Sequence, residues 1–386
     1  MDEEITRQKA IELFLHGHKP ASICRELGKT RPWFYKWLKR YQQNPKEEWY
    51  KEYSRKPKTV HPTLSPETEQ LILKIRKDLE SKKYAQIGAI SIQWAFHQLG
   101  LNPPPIWTID RVLKRHGLTR KKKKEPKRTN EYPGDKYINV QQLDLVGPRF
   151  IKDYGRFYAA NMIDLERRCI HTNPVKSKAS DHVVRAVCRF WKTFGIPDFL
   201  QMDNEMSFRG SNRYPHSFGK LIRFALLHQV TPIFIPQAEP WRNGVIEQFN
   251  ETFDKKFFRS QRFKDLAHIR QEAQRFENFH NSYYRYKAIG NRTPCDMLNR
   301  FPFFAKLAPR YKIPRKLPLI DGKIIFIRFI RSNLKLNVLG ESFRVATDLI
   351  YSYVEAVVSI EGQSLSVYRD NRLFNSFEYK MPVDWM

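Results

Sequence analysis

Several features that would place this chain in a familiar class are missing from it. No apolar run approaches the ~18 residues that a membrane-spanning helix needs, so no span is expected. Its four cysteines, Cys24, Cys169, Cys188 and Cys295, form no close pair, which argues against a disulfide scaffold or a Cys-rich zinc site. The opening residues, Met1-Asp2-Glu3-Glu4, are acidic and lead into no apolar segment, so no secretory signal is expected. Acidic residues are also in short supply, with 40 Asp+Glu against 69 Lys+Arg and a formal charge of +29 over 386 residues. What is present is a 41% hydrophobic and 14% aromatic content, enough to bury real cores and to exclude wholesale disorder. At roughly 150 residues per domain the length suggests two or three domains, and the charge points to a polyanionic partner.

The charge is unevenly spread. Residues 1–130 carry 29 Lys/Arg and 14 Asp/Glu, about half of the total excess. It peaks at Arg120-Lys121-Lys122-Lys123-Lys124, and Tyr132-Pro133-Gly134-Asp135 then supplies a turn cluster. A basic linker over residues 119–134 is therefore expected, with Lys121, Lys122, Lys123 and Lys124 as candidate phosphate contacts.

Upstream, the pattern over residues 1–45 is helical. Ile11, Leu13, Phe14, Ile23 and Leu27 give apolar faces, broken at Gly17-His18-Lys19-Pro20 and at Gly28-Lys29-Thr30. Thr30 can N-cap a third helix with Pro32 in its first turn. That helix interleaves aromatic residues with Arg31, Lys36, Lys39 and Arg40, the signature of a helix-turn-helix reading nucleic acid through a basic helix. His16 and His18 lack a Cys pair, so a zinc finger is not indicated. A second helical set over 62–118 starts at Ser65-Pro66-Glu67 and ends on a helix carrying Arg111, Lys114 and Arg115, a second helix-turn-helix-like domain. Contacts from such cations would make binding strongly salt-dependent.

From Tyr137 the texture becomes extended. Ile138–Val146, Phe157–Ile163 and Arg168–Thr172 read as strands, followed by a helix over Asp181–Phe194 and a short strand, Phe199–Met202. A helix near Phe218–His228, a strand at Val230–Ile235 and a long helix from Trp241 to about Phe258 complete the series. This is the element order of a ribonuclease-H-like α/β fold, expected over 135–300. On the long helix Val245, Phe249, Phe253 and Phe257 recur every four residues and should face the core. Glu247 and Asn250, three apart, share another face turned toward the strand ends.

Three carboxylates stand out: Asp144 within a strand, Asp203 at a strand end and Glu247 in the first turns of the helix. Two anions about 4 Å apart repel by roughly 4 kcal/mol at an effective dielectric near 20. Divalent cations remove that cost, and hard oxygen ligands select Mg²⁺ or Mn²⁺. A pair of such ions can activate a nucleophilic oxygen and stabilise the leaving oxygen of a phosphodiester. Glu239 is a rival third carboxylate, but it precedes Pro240 and lies outside the helix. Asp164 ends a strand and is expected to cap the turn that follows.

Gln142-Leu143-Asp144, Gln201-Met202-Asp203-Asn204 and the run from Pro240 through Asn243-Gly244 to Glu247-Gln248-Phe249-Asn250 resemble the three motifs of retroviral-type integrase cores. Bacterial insertion-sequence transposases of the DDE superfamily share these cores. The resemblance implies a DNA transposase with Asp144, Asp203 and Glu247 as catalytic and metal-binding triad and two Mg²⁺ per site, Mn²⁺ substituting. A metal-activated water would nick the element's 3′ ends, and the freed 3′-OH would attack target DNA, with no covalent protein intermediate and no ATP. Double-stranded DNA (terminal inverted repeats and target) is the implied partner, in a homo-multimer without membrane attachment. The implied location is the cytoplasm, at the nucleoid. Asn250 would orient the helix or contact DNA. Glu205 stands where the family usually has Gly, and the 43 residues between Asp203 and Glu247 exceed the family's usual interval, the surplus falling near Arg209–Ser217. Asp254 replaces a frequent Lys, leaving Lys255, one residue on, as a DNA-contact candidate. The alternative is a catalytically inactive or domesticated site-specific DNA-binding protein.

In the tail, short strands separated by turn signals at Ser332-Asn333, Gly340-Glu341, Glu361-Gly362 and Asp370-Asn371 suggest a small SH3-like β-barrel over 319–386. The expected whole is a multidomain α+β chain: helix-turn-helix units, a ribonuclease-H-like core and a C-terminal barrel.

Overall fold

The computed structural model describes residues 3–46, 48–53, 64–119, 131–211, 216–303 and 305–381. Lys121, Lys122, Lys123 and Lys124 lie outside the described residues. The chain divides into two compact units, Met1–Ser65 and Pro66–Met386.

The first unit holds α1 (Glu3–Leu15), α2 (Pro20–Glu26) and α3 (Arg31–Gln43). Gly28, at φ +62°, makes the left-handed turn that ends α2 without the penalty a Cβ would carry. Thr30 Oγ1 then accepts from Trp33 N at 3.4 Å and Pro32 occupies the first turn, so α3 starts where the sequence places it. Ala10, Ile11, Ile23, Cys24, Phe34 and Leu38 bury together. Trp37 is buried too, with the Arg7 and Arg40 guanidinium carbons 4.1 and 4.5 Å from its ring centroid.

The second unit begins with α4 (Pro66–Ser81), α5 (Ala89–Gln98) and α6 (Ile106–Arg115), closed around Ile72, Ile92, Phe96, Ile109, Val112 and Leu113. The sheet follows: β1 (Val140–Ile151), β2 (Gly155–Asp164) and β3 (Ile170–Val175) run as antiparallel neighbours. After α7 (Ser180–Thr193), β4 (Phe199–Met202) pairs parallel with β1. Then α8 (Met206–Arg209) and α9 (Lys220–Leu227) lead to β5 (Thr231–Phe234), parallel to β4. The α8–α9 connection is pinched at its base where Gly210 and Gly219 pack backbone to backbone. A Cβ on Gly210 would lie 2.7 Å from Gly219 N.

The long helix arrives in three parts: a 3-10 turn at Pro240–Asn243, α10 (Gly244–Thr252), and a wider π turn over Phe253–Phe258. Phe249, Phe253 and Phe257 are buried as expected, with Val245 packed beside them. Then come α11 (Leu266–Tyr283) and α12 (Pro294–Arg300). The α4–α6 set packs on this layer. Lys83 and Tyr84 donate to Glu272 of α11 at 2.6 and 3.1 Å, and Arg285 stacks over Trp94 at 3.5 Å.

The tail departs from expectation. Its strands are β6 (Lys323–Phe329), β7 (Lys335–Val338), β8 (Glu341–Arg344), β9 (Tyr353–Ser359), β10 (Ser364–Arg369) and β11 (Arg372–Glu378). Instead of closing on themselves, four of them extend the central sheet to nine strands in the order β11-β10-β9-β6-β5-β4-β1-β2-β3. The SH3-like barrel over 319–386 is therefore corrected: among the described residues the tail forms no closed barrel. The reason is β5, which would otherwise be an open edge. Here β6 pairs with it in parallel, Ile233 opposite Ile325 and Phe234 opposite Phe326, and the two phenylalanine rings stack at 4.9 Å. The β7–β8 hairpin adds Leu336 and Val338 to the same hydrophobic cluster as Leu143, Leu200 and Phe234.

Candidate active site

Strand register brings the two aspartates together. Gln142 of β1 is paired with Gln201 of parallel β4, and Asp144 and Asp203 each lie two residues further on. A two-residue step keeps a side chain on the same face, and neighbouring strands lie ~4.8 Å apart. The aspartates thus project from one face of the sheet, Asp144 from within β1 and Asp203 from just past the end of β4. Each feels the fold: burial raises the pKa of both, and the charge on Asp144 raises Asp203 further.

The two glutamines have a separate task that sequence reading missed. Gln142 Oε1 accepts from the Ile246 amide at 3.0 Å. Gln201 Nε2 donates to Arg242 O at 3.0 Å and Asn243 Oδ1 at 2.9 Å. Both glutamines are buried, and together they fix the start of α10 to the strands that carry the aspartates. This seats Glu247, half-buried and raised in pKa by burial, close enough for its charge to raise Asp144. The signal was present in the sequence as a Gln two residues before each Asp.

Asn250 turns inward. Its Nδ2 donates to Asp144 Oδ2 at 2.5 Å, and its Oδ1 accepts from Asn161 Nδ2 at 2.8 Å. Asn161 in turn accepts from Thr172 Oγ1 at 2.6 Å, so three elements orient one carboxylate. Asp203 Oδ1 accepts from the Glu205 amide at 2.9 Å. On the far side Arg328, buried in β6, donates to Asn204 Oδ1 at 2.7 Å and to Ile235 O at 3.1 Å. Burial pushes that guanidinium down to about 10. Arg328 was not anticipated, and it makes the tail part of the second motif's support.

The donor set, carboxylate oxygen throughout, suits a hard divalent cation. The side chains do not converge as they stand. Among the described residues, no three or more His, Cys, Asp or Glu form a group that could hold a metal ion. Asp144 accepts from Leu145 N and from Asn250 Nδ2, and Asp203 accepts from Glu205 N.

The remaining candidates separate clearly. Glu239 accepts from Tyr353 Oη at 2.8 Å and from Arg242 Nε at 3.1 Å, which commits it to a clamp on the loop before α10. Asp164 is fully buried and caps its turn, accepting from Arg167 N at 2.6 Å, and burial pushes it up to about 6. Asp254 forms an ion pair with Arg149, and Lys255 pairs with Glu251. On α3, Arg31, Lys36 and Lys39 are exposed, whereas Arg40 donates to Lys51 O at 3.1 Å and lies over Tyr53. On α6, Arg111 and Lys114 are exposed, and Arg115 is held by Glu69 at 2.7 Å. No helix among the described residues is long and apolar enough to cross a membrane.

Comparison with known proteins falls on the same two regions. Residues 1–45 match the homeodomain-like domain family. Residues 228–294, which carry Glu247, match the integrase core domain family. The chain thus joins a homeodomain-like helix-turn-helix to an integrase core. Among solved structures, the HTLV-2 integrase catalytic core in complex with magnesium is similar at 14% identity and a TM-score of 0.33, covering 42% of this chain and 96% of its own. The BIV integrase catalytic core is similar at 10% identity and a TM-score of 0.32, covering 42% and 94%. No curated protein matches the chain.

Proposed function

We infer that the protein is a DNA transposase that binds the ends of its own element, cleaves them and joins the 3′-OH ends to target DNA. The observation that carries this reading is the paired register of Gln142–Asp144 and Gln201–Asp203, with both glutamines holding the helix that bears Glu247. Chance placement of three acids does not come with a shared scaffold that sets their mutual position.

In this reading Asp144, Asp203 and Glu247 would hold two Mg²⁺, or Mn²⁺ in their place. When bound, such ions supply Lewis-acid stabilisation of the attacking and leaving oxygens of a phosphodiester. The protein's own contribution is orientation. Asn250 fixes the Asp144 carboxylate, the Glu205 amide fixes Asp203, and Gln142 and Gln201 fix α10. Such positioning supplies much of the rate in phosphoryl transfer. Water is the nucleophile in the first step and the freed 3′-OH in the second.

Recognition is assigned to the exposed cations of α3, with Arg111 and Lys114 of α6 and the basic segment containing Lys121, Lys122, Lys123 and Lys124 tracking phosphates. Lys255 stands near the catalytic helix as a further contact. Because two ends must be brought together, the working form is a homo-multimer on DNA.

The reading is tested by mixing purified protein with labelled DNA carrying the inverted repeats that bound its gene, a target plasmid and Mg²⁺. Nicked 3′ ends and joined products are expected, both lost with EDTA. Absence of any cleaved or joined product under Mg²⁺ and Mn²⁺, with DNA binding intact, would reject it.

A further inference from the structure

We propose that a cation-lined groove running from Asp203 across the start of the tail holds the phosphate backbone of target DNA, with Arg209, Arg328, Arg331 and Lys335 as its contacts. This rests on the catalytic reading above and gives the tail strands a task besides covering the edge of β5.

Three cavities in a row make up the groove. The first, about 360 Å³, opens beside Asp203 and passes Ile235 and Pro236 to Gln237. The second, about 210 Å³, lies between Arg209, Arg328 and Asn337. The third, about 170 Å³, reaches Arg331 and Lys335. The exposed Gln237 lines all three and so joins them.

The strand pattern explains this lining. On β7, Leu336 and Val338 are buried in the shared cluster, and the two-residue alternation turns Lys335 and Asn337 away from it. Arg328 of β6 then fastens the tail wall to the core wall. Its Nε donates to Asn337 O at 2.9 Å, and its Nη1 to Ile235 O and Ile327 O at 3.1 and 2.8 Å. Its Nη2 donates to Asn204 Oδ1 at 2.7 Å, and Arg209 Nε holds the carbonyl of the same Asn204 at 2.9 Å. Every acceptor of Arg328 is neutral, although the residue is only 7% exposed. Buried guanidinium groups are ordinarily paired with an anion. Four of the five N–H groups of Arg328 are used, and the fifth, on Nη2, is available to a phosphate oxygen. Of the acids on the groove wall, Glu239 is committed to Tyr353 and Arg242, which leaves Asp203 at the catalytic end.

Topology assigns this surface to the target rather than to the element end. Helices α4–α6, with Arg111 and Lys114, dock on α11 through Glu272, and α11 is bonded to β3 at one edge of the sheet. The groove leaves Asp203 in the opposite direction, past β5 to β6 and the β7 hairpin. Joining requires a second duplex at the same carboxylates, and this is the side left for it. Phosphate contacts carry no sequence information, which suits a target.

The test uses full-length protein saturated with unlabelled element-end duplex, to which a fluorescent duplex lacking the inverted repeats is added as target. Binding is followed by anisotropy between about 50 and 200 mM salt. Arg331→Ala/Lys335→Ala, which alters two exposed side chains, is expected to bind the target roughly tenfold more weakly and to lower the salt slope by about two, one phosphate contact per lost cation. Arg331→Lys/Lys335→Arg, which keeps both charges, is expected to retain the wild-type slope. Wild-type target affinity and slope in the alanine variant would overturn the proposal, as would an equal loss in the charge-keeping variant. An equal loss of binding to a labelled element end would also overturn it, because the groove would then serve the end. The catalytic reading is separated by product formation: wild-type protein that binds both duplexes but neither cleaves nor joins under Mg²⁺ and Mn²⁺ rejects that reading, whereas wild-type activity with unaltered target binding in the alanine variant rejects the groove alone.

Discussion

Gln142 Oε1 accepts a hydrogen bond from the backbone amide of Ile246 at 3.0 Å, tying the strand of Asp144 to the helix of Glu247. Ile246 N is one of the first amides of α10, which has no intrahelical partner, so a strand side chain completes the helix start. Replacing Gln142 with Leu leaves that buried donor unpaired. A loss of about 1–3 kcal/mol is expected in urea unfolding. Strand-transfer activity should drop more than tenfold as Glu247 loses its fixed position. Gln201→Leu, which frees Asn243, should behave alike.

Asn250 is the second test of orientation. Asn250→Leu removes the donor to Asp144 and the acceptor for Asn161. Activity is expected to fall roughly 10- to 100-fold, with end binding measured by fluorescence anisotropy unchanged. A parallel loss of binding would instead place Asn250 at the DNA.

The tail strands provide a stability test. Truncation after residue 318 removes β6 and exposes the edge of β5 together with Phe234 and the rest of the shared cluster. Loss of cooperative unfolding, or insolubility, is the expected outcome for the remaining chain. A truncated chain with wild-type Tm would mean that the tail is an independent module after all.

His280 predicts a pH effect of definite sign. It is fully buried on α11 against Tyr284 and Phe249, and burial pushes its pKa from 6.5 down to about 3. The unfolded chain therefore binds the proton more readily, and stability present above pH 6.5 is lost as pH falls toward 3, by about 1.4 kcal/mol per unit at most. Asp164, raised from 3.8 to about 6, acts in the opposite direction: its contribution is present at low pH and lost as pH rises through about 6. The difference between wild type and His280→Gln isolates the histidine. Between pH 6.5 and 4 wild type should lose stability relative to the variant, measured by thermal melts across the range.

Much of the core could be read from sequence because its signals are local. The strand at Phe199–Met202 is found as expected, and the four-residue spacing of Phe249, Phe253 and Phe257 gave the buried face of the helix correctly. Asp164 caps its turn as the sequence places it, and Glu239 lies before α10 as its position ahead of Pro240 indicates. What escaped depends on partners distant in the chain. Helix α11 buries Glu272, Glu277 and Asn281 against Tyr84, His171 and Ile170, partners far along the chain. The tail strands alternate well enough to be recognised, but nothing local in Ile325 or Phe326 says that β5 is their neighbour. Arg328 was invisible as a support of the second motif for the same reason: it reaches Asn204 from a segment outside the motifs.

The most direct test of the central claim compares Asp203→Asn and Glu247→Gln with wild type on one labelled element-end duplex, following end binding by anisotropy and 3′-end cleavage and joining by gel under Mg²⁺. Both variants are expected to bind the ends as wild type does and to lose cleavage and joining together, by at least a thousandfold, since the same carboxylates serve both steps. Full cleavage or joining by either variant would contradict the assignment of these carboxylates as the catalytic centre.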